Sequence, residues 1–337
     1  MKLLTENIKG KKLPLIIVCA TAFVLLILMI IGTFFDYEIA HVITAPYRGL
    51  AYYAFGMGFE VLGFLPAILV NVSLFAVLSV YSVKKGWKIA HHIFTAMTLA
   101  GAVFCAVFWT LDNHGYGVHR AVVGSVVTLA GIGLSFPVII FFKRFDREKQ
   151  KKIIYVLVIA AVLGSLANMM SGIMQPLWGR YRFYQIGYEY IRCSYTGDYI
   201  RINRPYMPWY RPMGRDGTAE SRHGNYSFPS MHATSAASAV ALILVAWVLN
   251  VKKSTFIVFT ITAFALFFLV PLSRMVLGWH FLTDVVFSMI LGLVAFICAV
   301  LIIDKGFGKK FRRFLNEENS GHTNNDVNAE KIDEETV

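Results

Sequence analysis

Eight apolar runs, each close to the twenty residues that cross a bilayer as a helix, constrain this chain more than any other feature. They fall at approximately 13–35, 62–82, 89–111, 121–142, 153–174, 231–249, 255–272 and 281–303. Lipid offers no hydrogen bonds, so each run must satisfy its own backbone. The expected fold is therefore all-α, a polytopic membrane bundle of about eight transmembrane helices. Only 15% of the 337 residues are charged, against about 25% in a soluble domain. The first run follows Lys9, Lys11 and Lys12 but is too long for a removable signal peptide and lacks a small-residue cleavage site. It reads as a signal anchor.

A net charge of +12 would suit nucleic acid if it were gathered on one surface, but the Lys residues flank the spans instead. They collect in the leader, at 83–88, 143–152, 252–253 and 304–313, which are alternate connections plus both ends. The connections of the opposite side carry Arg and no Lys. By the positive-inside rule both termini are expected in the cytoplasm, with no nucleic-acid partner. Cys19, Cys105, Cys193 and Cys298 are scattered without a CxxC, so there is neither a zinc signature nor a disulfide framework.

The outer connections differ. Residues 36–61, with Asp36, Glu38, His41 and Glu60, are expected along the interface, and 112–120 is short. Asp112, His114 and His119 are read there as interfacial loop groups in preference to a metal site. The stretch 175–229 holds eight Arg, four acids and many aromatics, with Pro at 205, 208 and 212. It is too aromatic for disorder and too rich in Pro for long helices, and reads as an ordered extracytoplasmic lid. From Phe314 the chain is polar and acidic, a disordered tail. These shifts divide it into 1–150, a region of about four spans; 151–304, which includes the lid; and 305–337, a basic stretch with the tail.

Three polar clusters lie at outer ends of spans. The first, Ser273 to Asp284 (SRMVLGWHFLTD), puts ionisable groups at a membrane edge, where they are expensive and usually functional. On a helix His280 and Asp284 share a face, and Asp284 can accept from one imidazole nitrogen, freeing the other as base or nucleophile. A plain capped helix start is the competing reading. The second, SFPSMHATSA, opens the sixth span with Ser230 as N-cap; the N–H groups of Met231 and His232 then face outward as an anion site, with His232 beside them. The third, PLWGRYRF, puts Arg180 and Arg182 at the end of the fifth span, and Arg is suited to phosphate oxygens. Two His, several Arg and a helix N-terminus on one face describe phosphoryl transfer through a phosphohistidine.

These residues resemble the type 2 phosphatidic acid phosphatase (PAP2) superfamily, which includes vanadium haloperoxidases and carries the motifs KX6RP, PSGH and SRX5HX3D. The third is matched in full by Ser273, Arg274, His280 and Asp284. The second reads Pro229-Ser230-Met231-His232, with Met for Gly. In the first, aligned on Arg182, Gln175 stands at the Lys position and Phe183 at the Pro position. The likeness covers roughly 153–303. It implies a PAP2-like catalytic core with His280 as nucleophile, Asp284 as its orienting partner and His232 as general acid. Arg182, Arg274, Ser230 and the N–H groups of Met231 and His232 would hold phosphate, without metal or cofactor. Gln175 keeps a hydrogen bond but loses a charge, a change of about tenfold in grip, since a charged hydrogen bond is worth about 1.5–3 kcal/mol against about 1 for a neutral one. Arg180, or Arg222 in the lid, is expected to supply the missing charge. The implied activity is hydrolysis of a lipid phosphate or diphosphate in the bilayer. Transfer to a lipid acceptor and phosphate binding without turnover are the alternatives.

Overall fold

The apolar runs become helices that cover almost the whole of the described chain, residues 13–44, 50–112, 139–192, 199–214, 226–249 and 251–308 of a computed structural model. In chain order they are α1 (Leu13–Thr44), α2 (Leu50–Lys84), α3 (Lys88–Asp112), α4 (Arg147–Trp178), α5 (Met231–Ala237), α6 (Ala241–Val248), α7 (Lys253–Val276) and α8 (Leu282–Gly308). A single 3-10 turn joins α5 to α6, so the two act as one span. Among the described residues six helical segments are long and apolar enough to cross a membrane: Val18–Thr44, Leu62–Lys84, Arg147–Gln185, Met231–Val248, Lys253–Val276 and Leu282–Ile303. The third expected run corresponds to α3. Of the fourth, only the end at 139–142 is described, and it is helical. The basic leader, His114 and His119, Arg222 and the acidic tail lie outside the described residues.

The first two helices outrun their expected ends. Residues 36–44 continue α1 and 50–61 open α2, so most of the expected interfacial connection is helical. Nothing in 36–44 stops a helix, since the nearest Pro is Pro46. A kink at Phe35, whose φ and ψ are −124° and 19°, comes two residues after Thr33 bonds back to the Met29 carbonyl (2.7 Å). It turns Asp36 into the protein, where 1% of it is exposed. α4 starts on an Asp146 side-chain cap (2.8 Å to Lys149 N) and stops at Gly179, which has φ +63° and donates to the Gln175 carbonyl.

Packing centres on α5, the shortest of these helices and the one richest in small residues. Residues Ala233 to Ala237 are all buried, which lets α2, α4, α7 and α8 close on it. Polar pairs fix its register on α4: Ser171 with Thr234 (2.8 Å) and Ser235 to Asn168 (2.6 Å). The main core joins Leu25 of α1, Phe267 of α7 and Val285, Val286 and Met289 of α8 around Ala233 and Ala237. Outward faces carry Phe34, Val162, Ile173 and Ile261, as lipid contact requires.

The described lid adds one feature to the helical fold, an antiparallel hairpin of β1 (Gly187–Arg192) and β2 (Tyr199–Arg204) in which Gly187 faces Arg204. Aromatic packing and two tethers seat the lid on the bundle. Trp209 stacks on Phe228, and its Nε1 donates to Thr33 of α1 (3.0 Å). Trp178 Nε1 donates to the Trp209 carbonyl.

The tightest helix contact is at Gly292, where an added Cβ would lie 2.1 Å from Cβ of Ala237, whereas nothing lies within 4 Å of one at Gly58. Overpacking of this kind costs about 1–3 kcal/mol. Gly292→Val is expected to lower the unfolding midpoint in detergent well below that of Gly58→Val, and equal midpoints would contradict the α5–α8 contact.

Candidate functional site

Three chain segments deliver the polar clusters to one end of the bundle, and a short turn places the most important of them. After α7, Gly278 takes φ +70°, a region favourable only to Gly, and Trp279 N donates to the Arg274 carbonyl (3.1 Å). The chain thereby reverses between Arg274, on the last turn of α7, and His280, just before α8. Thr44 Cγ2 would lie 2.7 Å from a Cβ at Gly278, so the turn is pressed against α1.

His280 is 2% exposed. Its Nδ1 donates to the Ser227 carbonyl at 2.6 Å, while Asp284 Oδ2 stands 3.8 Å away. The proton is thereby fixed on Nδ1, leaving Nε2 with its lone pair. This corrects the expectation of a direct Asp284 bond. Asp284 Oδ2 is occupied by the Phe281 N–H (2.8 Å) and the Ser227 hydroxyl (2.5 Å). The first of these is half of a capping box for α8, the competing reading of this cluster. Asp284 acts on His280 by charge and through Ser227. Burial lowers the His280 pKa from its usual 6.5 to about 4; the Asp284 carboxylate pulls the other way, and the Arg182 and Arg274 charges add to the lowering.

In front of His280 are the cations. Arg274 is buried and lies over the Trp279 ring, 4.1 Å from its centroid, and Arg182 approaches the same ring at 5.4 Å. Arg182 Nε is buried with no hydrogen-bond partner among the described residues. His232, in the first turn of α5, interacts electrostatically with Arg274, His280 and Arg182, which places all four within electrostatic range at this end of the bundle. Its ring packs on Phe64 of α2 (centroids 4.2 Å apart), and a Cβ on Gly63 would come 2.7 Å from its Cδ2, so α2 forms that wall. Ser230 caps α5 through Ala233 N (3.5 Å), as expected. The N–H groups of Met231 and His232 sit at a helix start, where no intrahelical acceptor exists. Ser273 bonds back to the Val270 carbonyl (2.7 Å) and supports its own helix.

Two expectations need correction. Arg180 is not a substitute phosphate ligand. Its Nε donates to the Met207 carbonyl (2.8 Å). One terminal nitrogen serves Thr283 (2.8 Å) and Asp284 Oδ1 (2.5 Å), the other Asp36 Oδ2 (2.7 Å) and Tyr206 (3.3 Å). All the donors a guanidinium has are thus engaged within the protein. Gln175 donates to the Pro229 carbonyl (2.9 Å), so its amide holds the backbone that leads into α5. The sequence reading missed Asp36, Ser227, Thr283 and Tyr206. Asp36 had a legible signal, an acid at the end of an apolar run, but the run was closed one residue before it.

Residues 184–307 match the family model of the PAP2 superfamily, a stretch that includes His232, Arg274, His280 and Asp284 and leaves out Gln175, Arg180 and Arg182. Neither a curated protein nor a solved structure gives a match to the chain.

Nitrogen-15 spectra of histidine-labelled protein are expected to show His280 neutral and protonated on Nδ1 at pH 6, with a midpoint near 4. A midpoint at 6.5 would contradict its burial between the cations.

Proposed function

With a PAP2 superfamily domain in residues 184–307 of a membrane-spanning helical protein, we propose that the chain hydrolyses the phosphate or diphosphate of a membrane lipid through a phosphohistidine on His280. The observation that carries this is the meeting of His280, with Nε2 unencumbered, and His232 beside Arg182 and Arg274. In the first step Nε2 attacks phosphorus, the bond to the lipid oxygen breaks, and His232 gives that oxygen a proton. In the second, His232 takes a proton from water, which attacks the phosphohistidine and releases phosphate. Arg182 and Arg274 hold the nonbridging oxygens as charge moves onto them, together with the N–H groups of Met231 and His232. Ser230 accepts from Ala233 and keeps its own O–H for the same purpose.

A lipid substrate is supported by position. His232 is in the first turn of one span and His280 directly precedes another, so both stand at headgroup level while acyl or prenyl tails remain in lipid. Phosphatidate, phosphatidylglycerol phosphate and a polyprenyl diphosphate share the required chemistry. The Lys distribution supports an extracytoplasmic position for this end, with both termini in the cytoplasm. The same histidine chemistry would deliver the phosphoryl group to a lipid alcohol in place of water.

Detergent-purified protein is expected to release phosphate from one of these lipids with EDTA present, and loss of release on chelation would overturn a metal-free mechanism. His280→Ala should fall to background. His232→Ala should lose on the order of 10²–10⁴-fold on lipid phosphate but less on p-nitrophenyl phosphate, whose leaving group needs no acid. Normal turnover by His280→Ala would end the nucleophile assignment.

A further inference from the structure

The N-terminal helix holds an acid that lies outside every motif and outside the matched stretch, yet stands one guanidinium away from Asp284, the carboxylate beside His280. We propose that Asp36 is a positioning residue for His280, acting through Arg180 and Asp284 to keep one net negative charge behind the imidazole. The inference rests on the phosphohistidine reading above.

The contacts form a continuous chain. Asp36 Oδ1 accepts from Thr283 N (3.0 Å), and Oδ2 accepts from the Thr283 hydroxyl and from Arg180 (2.7 Å). Arg180 donates to Asp284 Oδ1 (2.5 Å), Asp284 Oδ2 accepts from the Ser227 hydroxyl, and the Ser227 carbonyl accepts from His280 Nδ1. The Asp36 and Asp284 side chains are fully buried and that of Arg180 is 2% exposed, so solvent does not screen these charges.

The count of charges gives the group its purpose. With both carboxylates ionised against the one guanidinium, Asp36, Arg180 and Asp284 sum to one negative charge. When Nε2 bonds to phosphorus the imidazole becomes cationic, and a negative charge behind Nδ1 stabilises that state. Without Asp36, Arg180 would cancel Asp284 and the sum would be zero. The other charged or titratable groups facing His280 are Arg274 from α7, Arg182 after α4 and His232 from α5, while Tyr206 of the lid reaches Arg180. With two guanidinium groups in front, the charge behind decides whether a cationic imidazole is tolerated.

The test uses full-length protein in detergent with two oxyanion probes: orthovanadate, which bonds to a histidine nitrogen, and inorganic phosphate, which is only held. Binding is followed by tryptophan fluorescence, alongside kcat and KM on phosphatidate micelles. Asp36→Asn is expected to weaken orthovanadate and lower kcat about tenfold, the effect of about one pKa unit, with phosphate binding and KM unchanged. Asp36→Asn combined with Arg180→Gln restores the net charge to minus one and is expected to recover orthovanadate binding toward the wild-type level. Equal loss of both probes in the single variant, or a double variant weaker than the single, would reduce Asp36 to a structural role and overturn the proposal. A folded Asp36→Asn protein identical to wild type would do the same. Wild-type protein that takes neither probe and releases no phosphate overturns the phosphohistidine reading itself.

Discussion

The guanidinium of Arg180 is a full charge enclosed at the end of a membrane bundle, and much of the site's geometry follows from the need to satisfy it. An unpaired charge in such a place is costly, and removing one partner of a buried pair typically destabilises a protein by about 3–5 kcal/mol. Asp36 comes from α1, Asp284 and Thr283 from α8, and Tyr206 and the Met207 carbonyl from the lid, so one side chain ties three parts of the chain together. Its backbone takes part as well, since the Arg180 carbonyl accepts from Ser227 N (2.9 Å), and Ser227 orients His280. The hydrogen bonds that neutralise the buried cation also hold the imidazole.

The site is thus layered. Behind His280 lies a compensated network in which carboxylates and guanidinium share hydrogen bonds. Before it lie Arg182 and Arg274, both resting on Trp279, whose ring face attracts cations. Their charges add to the effect of burial in disfavouring an imidazolium at rest. In the proposed mechanism His280 stays neutral until an anion enters between the arginines, and the anion's charge offsets that of the cation formed by attack.

What was legible in the sequence is what has a local cause. Apolar runs of spanning length can only be helices in lipid, and Ser273, Arg274, His280 and Asp284 keep a spacing that a turn between two helices can satisfy. What stayed hidden depends on distant partners. Asp36 looked like the first residue beyond the membrane because an acid normally ends an apolar run; its partner Arg180 lies 144 positions away. Arg180 looked like a phosphate ligand because Arg at a helix end usually is exposed, and only the fold reveals two carboxylates waiting for it. Asp284 was assigned to His280 by its four-residue spacing, and the competition for its oxygens from Phe281 and Ser227 is tertiary. The lid hairpin escaped notice because aromatic, Arg-rich segments give no clean alternation.

Gln175 then takes on a different meaning from a simple loss. A lysine at that position would bring a third cation to the front of the pocket, and a neutral amide cannot. But the amide bonds the Pro229 carbonyl at 2.9 Å, one residue before the cap of α5, and so fixes the approach of Ser230, Met231 and His232. Pro229 has no N–H, and its carbonyl precedes the cap, so it needs a donor from elsewhere. Because Arg180 is committed to Asp36 and Asp284, the missing charge is not replaced from that side. Under the proposed function, Gln in place of Lys weakens the attraction for an oxyanion while leaving the placement of His232 intact. On that reading the site holds its ligand less tightly in the ground state, and the proposed histidine chemistry, which depends on the layer behind His280, keeps its supports.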